Sequence, residues 1–347
     1  MADGRRHARG GTGRPGSTDV ARLAGVSQKT VSRVLNEEPN VTEDTRSRVL
    51  AAAQQLGYRP NGAARTLLTG RTYRIGVVSL GTALFGPSSL LVALERAARA
   101  TRYSLSIANT FEDDAAGLQA AVNSLLEEGI DAVILSEPID DPGEPLEVDV
   151  PVLALGGAPD VRAATVLSVR TAEGGDAAAA ATRYLLGLGH ATVHHIAGPQ
   201  RWWAARERLE NWKATLQAAN ALVPETWEGD WSPSSGYQLG KRLATDPDVT
   251  AIFAANDDMA IGAIHALRVS GKTVPDDVSV VGFDDIPVAA HVSPPLTTIS
   301  SDNVELAVTG LAYLVGYLSN PESPPPPPPP HVHRLVVRQS AARPPGR

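Results

Sequence analysis

The 347-residue sequence predicts an α/β protein in which a small N-terminal helical head precedes two doubly wound lobes, each a parallel sheet covered by helices on both faces. Residues 17–56 place apolar side chains at helical spacing, broken by Gly25 and closed by Gly57. From Tyr73 onward, short continuous apolar runs alternate with amphipathic stretches, the pattern of parallel strands buried on both faces. The alternation comes in two successive series, and the chain is longer than one hydrophobic core organises.

Composition narrows the function. A hydrophobic content of 43% suffices for globular folding, and the absence of cysteine excludes disulfides, thiolate metal sites and a Cys nucleophile. No stretch approaches the roughly 18 apolar residues of a membrane span and none reads as a signal segment, so a cytoplasmic location is expected. The net charge of -7 is unevenly divided. Residues 1–72 hold twelve Lys and Arg against six acids, giving the head +6 and the remainder -13. A basic module on an acidic body suits a protein that grips phosphate with one end only.

Residues 1–16, rich in Gly and Arg without apolar period, are expected to form a disordered basic tail. Gly11, Gly13 and Gly16 have dinucleotide-fingerprint spacing, but no strand precedes them, which excludes that reading. Residues 17–36 then read as two short helices around a tight turn. Val20, Leu23 and Ala24 predict one buried face, Gly25 ends the first helix, and Ser27 caps the second. Val31, Val34 and Leu35 supply its apolar side. Gln28, Lys29, Ser32 and Arg33 are left outside as donor-rich side chains on a helix suited to the major groove, where Arg and Lys match guanine O6/N7 and Gln matches adenine N6/N7. A third helix is predicted from Thr42, its cap, to Leu56, with Glu43 and Asp44 at the positive end and Gly57 as its stop.

Ala21, Ala24, Gly25, Val26, Ser27, Thr30, Val31, Ser32, Arg33, Val34, Leu35 and Asn36 together resemble the lactose-repressor family of transcriptional regulators. The resemblance implies a helix-turn-helix DNA-binding domain over residues 17–58, with Ser27, Gln28, Lys29, Thr30, Ser32, Arg33 and Asn36 at the DNA. Where the family usually opens its first helix with Thr and then Leu or Ile, this chain has Gly16 and Ser17, which weakens packing and phosphate contact there. Residues 59–72 are similar to the family's hinge, in which a short helix forms only on DNA. Asn61, Ala64 and Leu67 carry that similarity: Asn61 as cap, Ala64 permitting two hinges to pack closely, and Leu67 as a minor-groove wedge. Gly62 disfavours the helix when DNA is absent.

In the core, strands are predicted at 74–79, 104–108, 132–136 and 152–155, with helices at about 87–101 and 114–128 and a Pro-rich loop before the fourth strand. A second series places strands at 192–197, 225–229, 251–254 and 279–283 between helices at about 172–188, 203–219, 234–244 and 257–269. By the resemblance, the core (73–340) is like that of periplasmic sugar-binding proteins. Lobe 1 then takes about 73–169 and 302–329, lobe 2 about 170–301 and 330–340, and 341–347 form a tail. The chain would cross back near residue 301, add a helix at 303–318 to lobe 1, and return at about 332–338 to lobe 2. Pro324 to Pro330 interrupt that return as a polyproline II spacer.

Ligands of open α/β sheets sit beyond the carboxyl ends of the strands. Leu84, Phe85, Gly86 and Pro87 resemble a loop that covers the apolar face of the sugar in a member of the family. Gly198 to Trp212 match a Gly-Pro…Arg-x-x-x-Trp pattern whose effector-binding arginine falls on Arg208, and Trp231, Asn256 and Asp284 occupy further matching loops. These residue types suit a polyol: Arg208, Asn256 and Asp284 can pair with vicinal hydroxyls, and Trp231 can stack on a pyranose ring. Gly156 stands where an Asp contacts ligand in a family member, Ser301 and Asn303 replace a Gln and a Phe, and Asn211 replaces a usual Gly. The sugar is therefore expected to differ, and Trp202 and Trp203 add aromatic area consistent with a larger glycoside.

Catalytic readings fare poorly. His190, His194 and His195 have a ligand-like spacing, but Thr192 to Ala197 reads as a strand, so neighbouring rings face opposite ways. No nucleophile elbow, Walker loop or zinc-protease motif occurs, and capping or ligand hydrogen bonds account for Asp257, Asp258, Asp284 and Asp285. The sequence is thus read as a non-enzymatic homodimeric repressor without cofactor or metal, binding a pseudo-palindromic operator under control of a sugar or glycoside inducer. The alternatives are a sugar-binding or sugar-modifying protein and a repressor that needs its ligand as corepressor, as purine-responsive relatives do. Residues after 340 carry no apolar heptads, so a dimer is expected rather than a tetramer.

Overall fold

The computed structural model describes residues 15–35, 40–58, 66, 70–110, 117–136, 145–156, 160–169 and 176–346. Asn36, Asn61, Ala64 and Leu67 lie outside the described residues. The chain divides into two compact units, Met1–Thr72 and Tyr73–Arg347.

In the first unit, α1 (Ser17–Ala24), α2 (Gln28–Leu35) and α3 (Glu43–Leu56) enclose Val20, Val31, Val34 and Val49. Gly25 and Gly57 end α1 and α3 at φ 67° and 61°, a left-handed conformation that glycine adopts without Cβ strain. Thr42 Oγ1 caps α3 by accepting from Thr45 N at 3.4 Å. Leu23 corrects the expected inner face of α1, since it is 46% exposed while Ala21 is buried. At 3.6 residues per turn the inward arc runs through Val20, Ala24 and Ala21, which puts Leu23 on the flank.

The second unit holds two sheets. In lobe 1 the all-parallel order is β2 (Ser104–Thr110), β1 (Arg74–Leu80), β3 (Ala132–Ser136), β5 (Val152–Leu155), β7 (Val166–Val169). α4 (Phe85–Ala98) and α10 (Asn303–Ser319) cover one face through Leu90, Leu94, Leu311 and Leu314. α5 (Gly117–Glu127) covers the other together with a two-stranded parallel sheet of β4 (Leu146–Val148) and β6 (Val161–Ala163). β4, β6 and β7 were not expected from the sequence. The first two have three residues each and β7 four, too short to show a period.

Lobe 2 has the order β13 (Arg334–Val336), β12 (Thr297–Ser300), β11 (Ser279–Asp284), β10 (Ala251–Ala254), β8 (His194–Ala197), β9 (Trp227–Glu228), parallel except for the antiparallel edge strand β13. α6 (Asp176–Gly187) and α7 (Trp203–Ala218) pack one face through Leu185, Trp212 and Leu216. α8 (Pro233–Ala244) and α9 (Asp257–Val269) pack the other through Leu243, Ile264 and Leu267. α8 and α9 approach through glycines: a Cβ would fall 2.2 Å from Met259 O at Gly236, 2.7 Å from Ala263 Cα at Gly240 and 2.0 Å from Pro233 O at Gly262. β12 was also unexpected, because its Thr-Thr-Ile-Ser sequence reads as polar. Its threonines are buried yet satisfied, Thr297 Oγ1 accepting from Arg338 N at 2.9 Å and Thr298 Oγ1 donating to Asp257 Oδ1. The end of the chain is part of this lobe rather than a tail: Ala342 N donates to Ser279 Oγ at 2.9 Å, and Ala341 packs on the α6 and α7 core.

Candidate nucleic-acid interface and ligand cleft

The head exposes three of the four α2 side chains expected outside. Ser27 Oγ accepts from Thr30 N at 3.1 Å and lies 2.8 Å from Thr30 Oγ1, so both hydroxyls are engaged at the start of α2. Gln28, Lys29 and Arg33 are exposed, and Ser32 is half-buried. Gln28 Nε2 donates to Ser17 Oγ at 2.8 Å. Asp19 Oδ2 accepts from Gly16 N at 2.9 Å, securing the start of α1 without a side-chain cap.

The cleft is a cavity of about 210 Å³ at the carboxyl ends of the strands, lined from both lobes. Leu84, Gly86 and Pro87 contribute the wall after β1. They belong to the start of α4, with Leu84 as its N-cap residue, rather than to a loop. Phe85, expected beside them, is not among the lining residues and packs on the lobe 2 core that contains Trp202 and Trp231. Asn303 Nδ2 donates to Ser89 Oγ at 2.7 Å, tying the start of α10 to α4.

Arg208 reaches in from α7. One guanidinium nitrogen donates to the Ala255 carbonyl, another lies 3.7 Å from Asp284 Oδ1, and the group stacks 3.6 Å above the Phe283 ring centroid. Burial lowers the Arg208 pKa against the opposing pull of Asp284. Burial likewise raises Asp284 to about 6, with Arg208 pulling it back down. A guanidinium held on three sides forms a rigid donor fork for paired oxygens.

Asn256 lies after β10 with its amide already used. Oδ1 caps α9 by accepting from Met259 N at 2.9 Å, and Nδ2 donates to the Trp231 carbonyl at 2.9 Å. Trp231 takes φ 69° in a turn where Asp230 Oδ1 accepts from Ser232 N at 2.9 Å. The residue is 5% exposed, and its ring meets Trp202 edge-on at 5.4 Å and fills the space over Gly198, where a Cβ would fall 2.2 Å from it. Trp203 also lines the cleft and lies over Gly156, where a Cβ would stand 3.1 Å from the indole. A side chain at 156 would crowd this indole and would also strain a backbone at φ 87°.

His195 of β8 serves packing. His195 is buried, stacks on Phe253 at 4.8 Å and donates Nδ1–H to the Phe253 carbonyl at 2.9 Å; burial holds its pKa down at about 4. His190 bonds Thr250, Ser279 and Ala342. Among the described residues, no three His, Asp or Glu side chains gather as a metal site, and no helix is long and apolar enough to cross a membrane. The sequence reading missed His331, Val332 and His333, which also line the cleft. Their signal was the His-Val-His alternation directly after the proline run.

Comparison with known proteins reaches both units of the chain. Residues 18–61 match the family described as bacterial regulatory proteins, lacI family, and residues 182–341 match the periplasmic binding protein-like domain. The ribose operon repressor of Escherichia coli (strain K12) is 34% identical over 312 residues, covering 87% of this chain and 93% of that protein. The crystal structure of the Lac repressor dimer bound to operator and the anti-inducer ONPF superimposes with a TM-score of 0.77 at 30% identity, covering 93% and 98% of the two chains. A transcriptional regulator CelR–cellobiose complex gives a TM-score of 0.66 at 31% identity, covering 94% and 100%. The basic helix-turn-helix head, the two-lobed core and these likenesses along nearly the whole chain agree: the protein belongs to the LacI family of bacterial regulatory proteins.

Proposed function

We propose that this protein is a homodimeric transcriptional repressor that reads a pseudo-palindromic operator and is released from it by a sugar or glycoside held between its lobes. Ser27, Gln28, Lys29, Thr30, Ser32, Arg33 and Asn36 meet the major groove and its phosphates, and Asn61, Ala64 and Leu67 the minor groove at the operator centre. The head spans 17–58, the hinge 59–72, and the effector core runs from 73 through at least Ala342. Acting on DNA places the protein in the cytoplasm.

The carrying observation is the composition of the cleft, where the Arg208–Asp284 pair stands among Trp202, Trp203 and Trp231. Charged groups that pair with vicinal hydroxyls, beside flat apolar rings, are what a pyranose offers contacts to. Leu84, Gly86 and Pro87 cover its other side, while Asn256 acts chiefly by holding Trp231. The operator and cellobiose named for the matched structures support the same reading.

The test is reciprocal linkage. A ligand shifts the repressor only by its differential affinity for two lobe arrangements, typically about 1 to 3 kcal/mol. Mono- and disaccharides that raise the melting temperature are titrated calorimetrically with and without saturating operator. An inducer binds more weakly to the operator complex, by the factor through which it weakens operator binding. Unchanged affinity overturns the coupling, and tighter binding makes the ligand a corepressor.

A further inference from the structure

α10 ends at Ser319, the chain reverses through a turn closed by Ser323 N donating to Asn320 O at 3.2 Å, and seven consecutive prolines follow from 324 to 330. Their peptide bonds are trans, and burial recurs every third residue. Pro325 and Pro328 are half-buried between exposed neighbours, and His331, three residues on, is 6% exposed. A period of three is that of polyproline II, which rises about 3.1 Å per residue.

Two contacts fix where this rod lies. Pro325 rests on Gly316 of α10, where a Cβ would come 2.9 Å from its ring, and His331 Nδ1 is 3.9 Å from Glu305 Oε2 in the first turn of the same helix. The α-helix from Gly316 back to Glu305 is about 16 Å long, and polyproline II from Pro325 to His331 is about 19 Å. The lengths match, so the run lies antiparallel along α10 as a straight strut. An α-helical segment of the same length would cover only about 9 Å.

The inner face of the strut delivers His331 to the cleft, which it lines with Val332 and His333. The side chain of His331 is 3% exposed, and its Nε2 is buried without a hydrogen-bond partner among the described residues. The Glu305 carboxylate beside Nδ1 favours the tautomer protonated there, which leaves Nε2 an acceptor. Burial pulls the ring pKa down against Glu305 and Asp302, so the imidazole is neutral at pH 7. Among the described residues, Trp202 Nε1 and Trp231 Nε1, which also belong to residues lining the cleft, have no partner. Indole can only donate and this Nε2 can only accept, so groups that satisfy them must be able to do both, as hydroxyl groups are.

We infer that His331 is a specificity-determining ligand contact, set in place by the polyproline register, that accepts a hydrogen bond from a hydroxyl of a neutral polyol in the cleft. The inference rests on the carbohydrate reading of the cleft. The full-length protein, its His331→Phe and His331→Gln variants and a variant lacking Pro329 are screened by thermal shift against unmodified mono- and disaccharides. The best wild-type ligand is then titrated calorimetrically into each. His331→Phe keeps a ring and loses the acceptor, so affinity falls about tenfold. His331→Gln returns an amide oxygen and recovers part of that loss. Deleting Pro329 turns the following residues by about a third of a turn and matches His331→Phe. Equal affinity in wild type and His331→Phe overturns the assignment, as does wild-type affinity in the deletion should the Phe variant not fold. If no sugar binds the wild type, the carbohydrate reading falls and this inference with it.

Discussion

The first residue of α1 buttresses the first residue of α2: Ser17 Oγ accepts from Gln28 Nε2 at 2.8 Å. The bond leaves Gln28 Oε1 and one N–H free, which is the pair of groups that adenine N6 and N7 require. Ser17 thus does more than fill a place where the family has an apolar residue. Ser17→Ala is expected to reduce discrimination at the base pair read by Gln28 by about 0.5 to 1 kcal/mol, against about 1 to 3 kcal/mol for Gln28→Ala. Competition binding with operators changed at single base pairs measures both. Full discrimination in Ser17→Ala would show that the amide needs no buttress.

Arg33 is exposed on α2. Arg33→Ala is expected to cost about 1 to 3 kcal/mol on the specific operator and much less on random DNA, if it reads a base edge. Equal loss on both would assign it to phosphate.

Asn256→Ala removes the α9 cap and the tether of the Trp231 carbonyl together. A lost cap costs about 1 kcal/mol, and a buried carbonyl left without its donor costs about 1 to 3 kcal/mol more. Urea denaturation is expected to show the sum, with a changed tryptophan emission reporting release of the turn. Wild-type stability would contradict both bonds.

Gly198→Ala places a methyl group inside the volume of the Trp231 ring. The indole must shift, at a cost of about 1 to 3 kcal/mol, and sugar affinity should fall with it. Operator affinity without ligand should be kept. Unaltered sugar binding would remove Trp231 from the recognition surface.

Asp257 is buried, accepts from Ile286 N at 2.9 Å and from Thr298 Oγ1, and burial pushes its pKa from 3.8 to about 8. A carboxyl that holds its proton more tightly when folded gives stability that is complete at low pH and declines as pH rises toward the folded value. His195 and His333, held near 4 by burial, act in the opposite direction below their ordinary value of 6.5. Between pH 6.5 and 8 stability is therefore expected to fall as pH rises, by at most about 1.4 kcal/mol per unit. Asp257→Asn should flatten this slope in urea denaturation, and an unchanged slope would exclude Asp257 as its source.

The sequence revealed elements whose physics is local. Thr42 and Gly57 bound α3 by capping, and uninterrupted apolar runs gave β3, β5 and β10 residue for residue. β12 escaped because Thr297 and Thr298 become buriable only through Arg338 and Asp257, about forty residues distant along the chain. Arg208, Trp231, Asn256 and Asp284 were picked out by the family resemblance as lying on separate strand-end loops; the structure brings all four to the cleft, but Arg208 sits within α7 and Asp284 ends β11. That the Asn256 amide is spent on Met259 and Trp231, or that Phe85 joins the other core, depends on contacts between segments far apart in sequence. His331 lay outside any motif, although the proline run before it implied a polyproline II segment with three residues per turn.

The glycine contacts between α8 and α9 govern how lobe 2 can move. Helices whose backbones touch at Gly236, Gly240 and Gly262 cannot slide past each other without driving atoms into overlap, so this half of the lobe behaves as a solid block. The turn of Trp231 runs directly into α8. A displacement of that indole is therefore expected to be passed to α8 and α9 together, as one unit, rather than taken up between them.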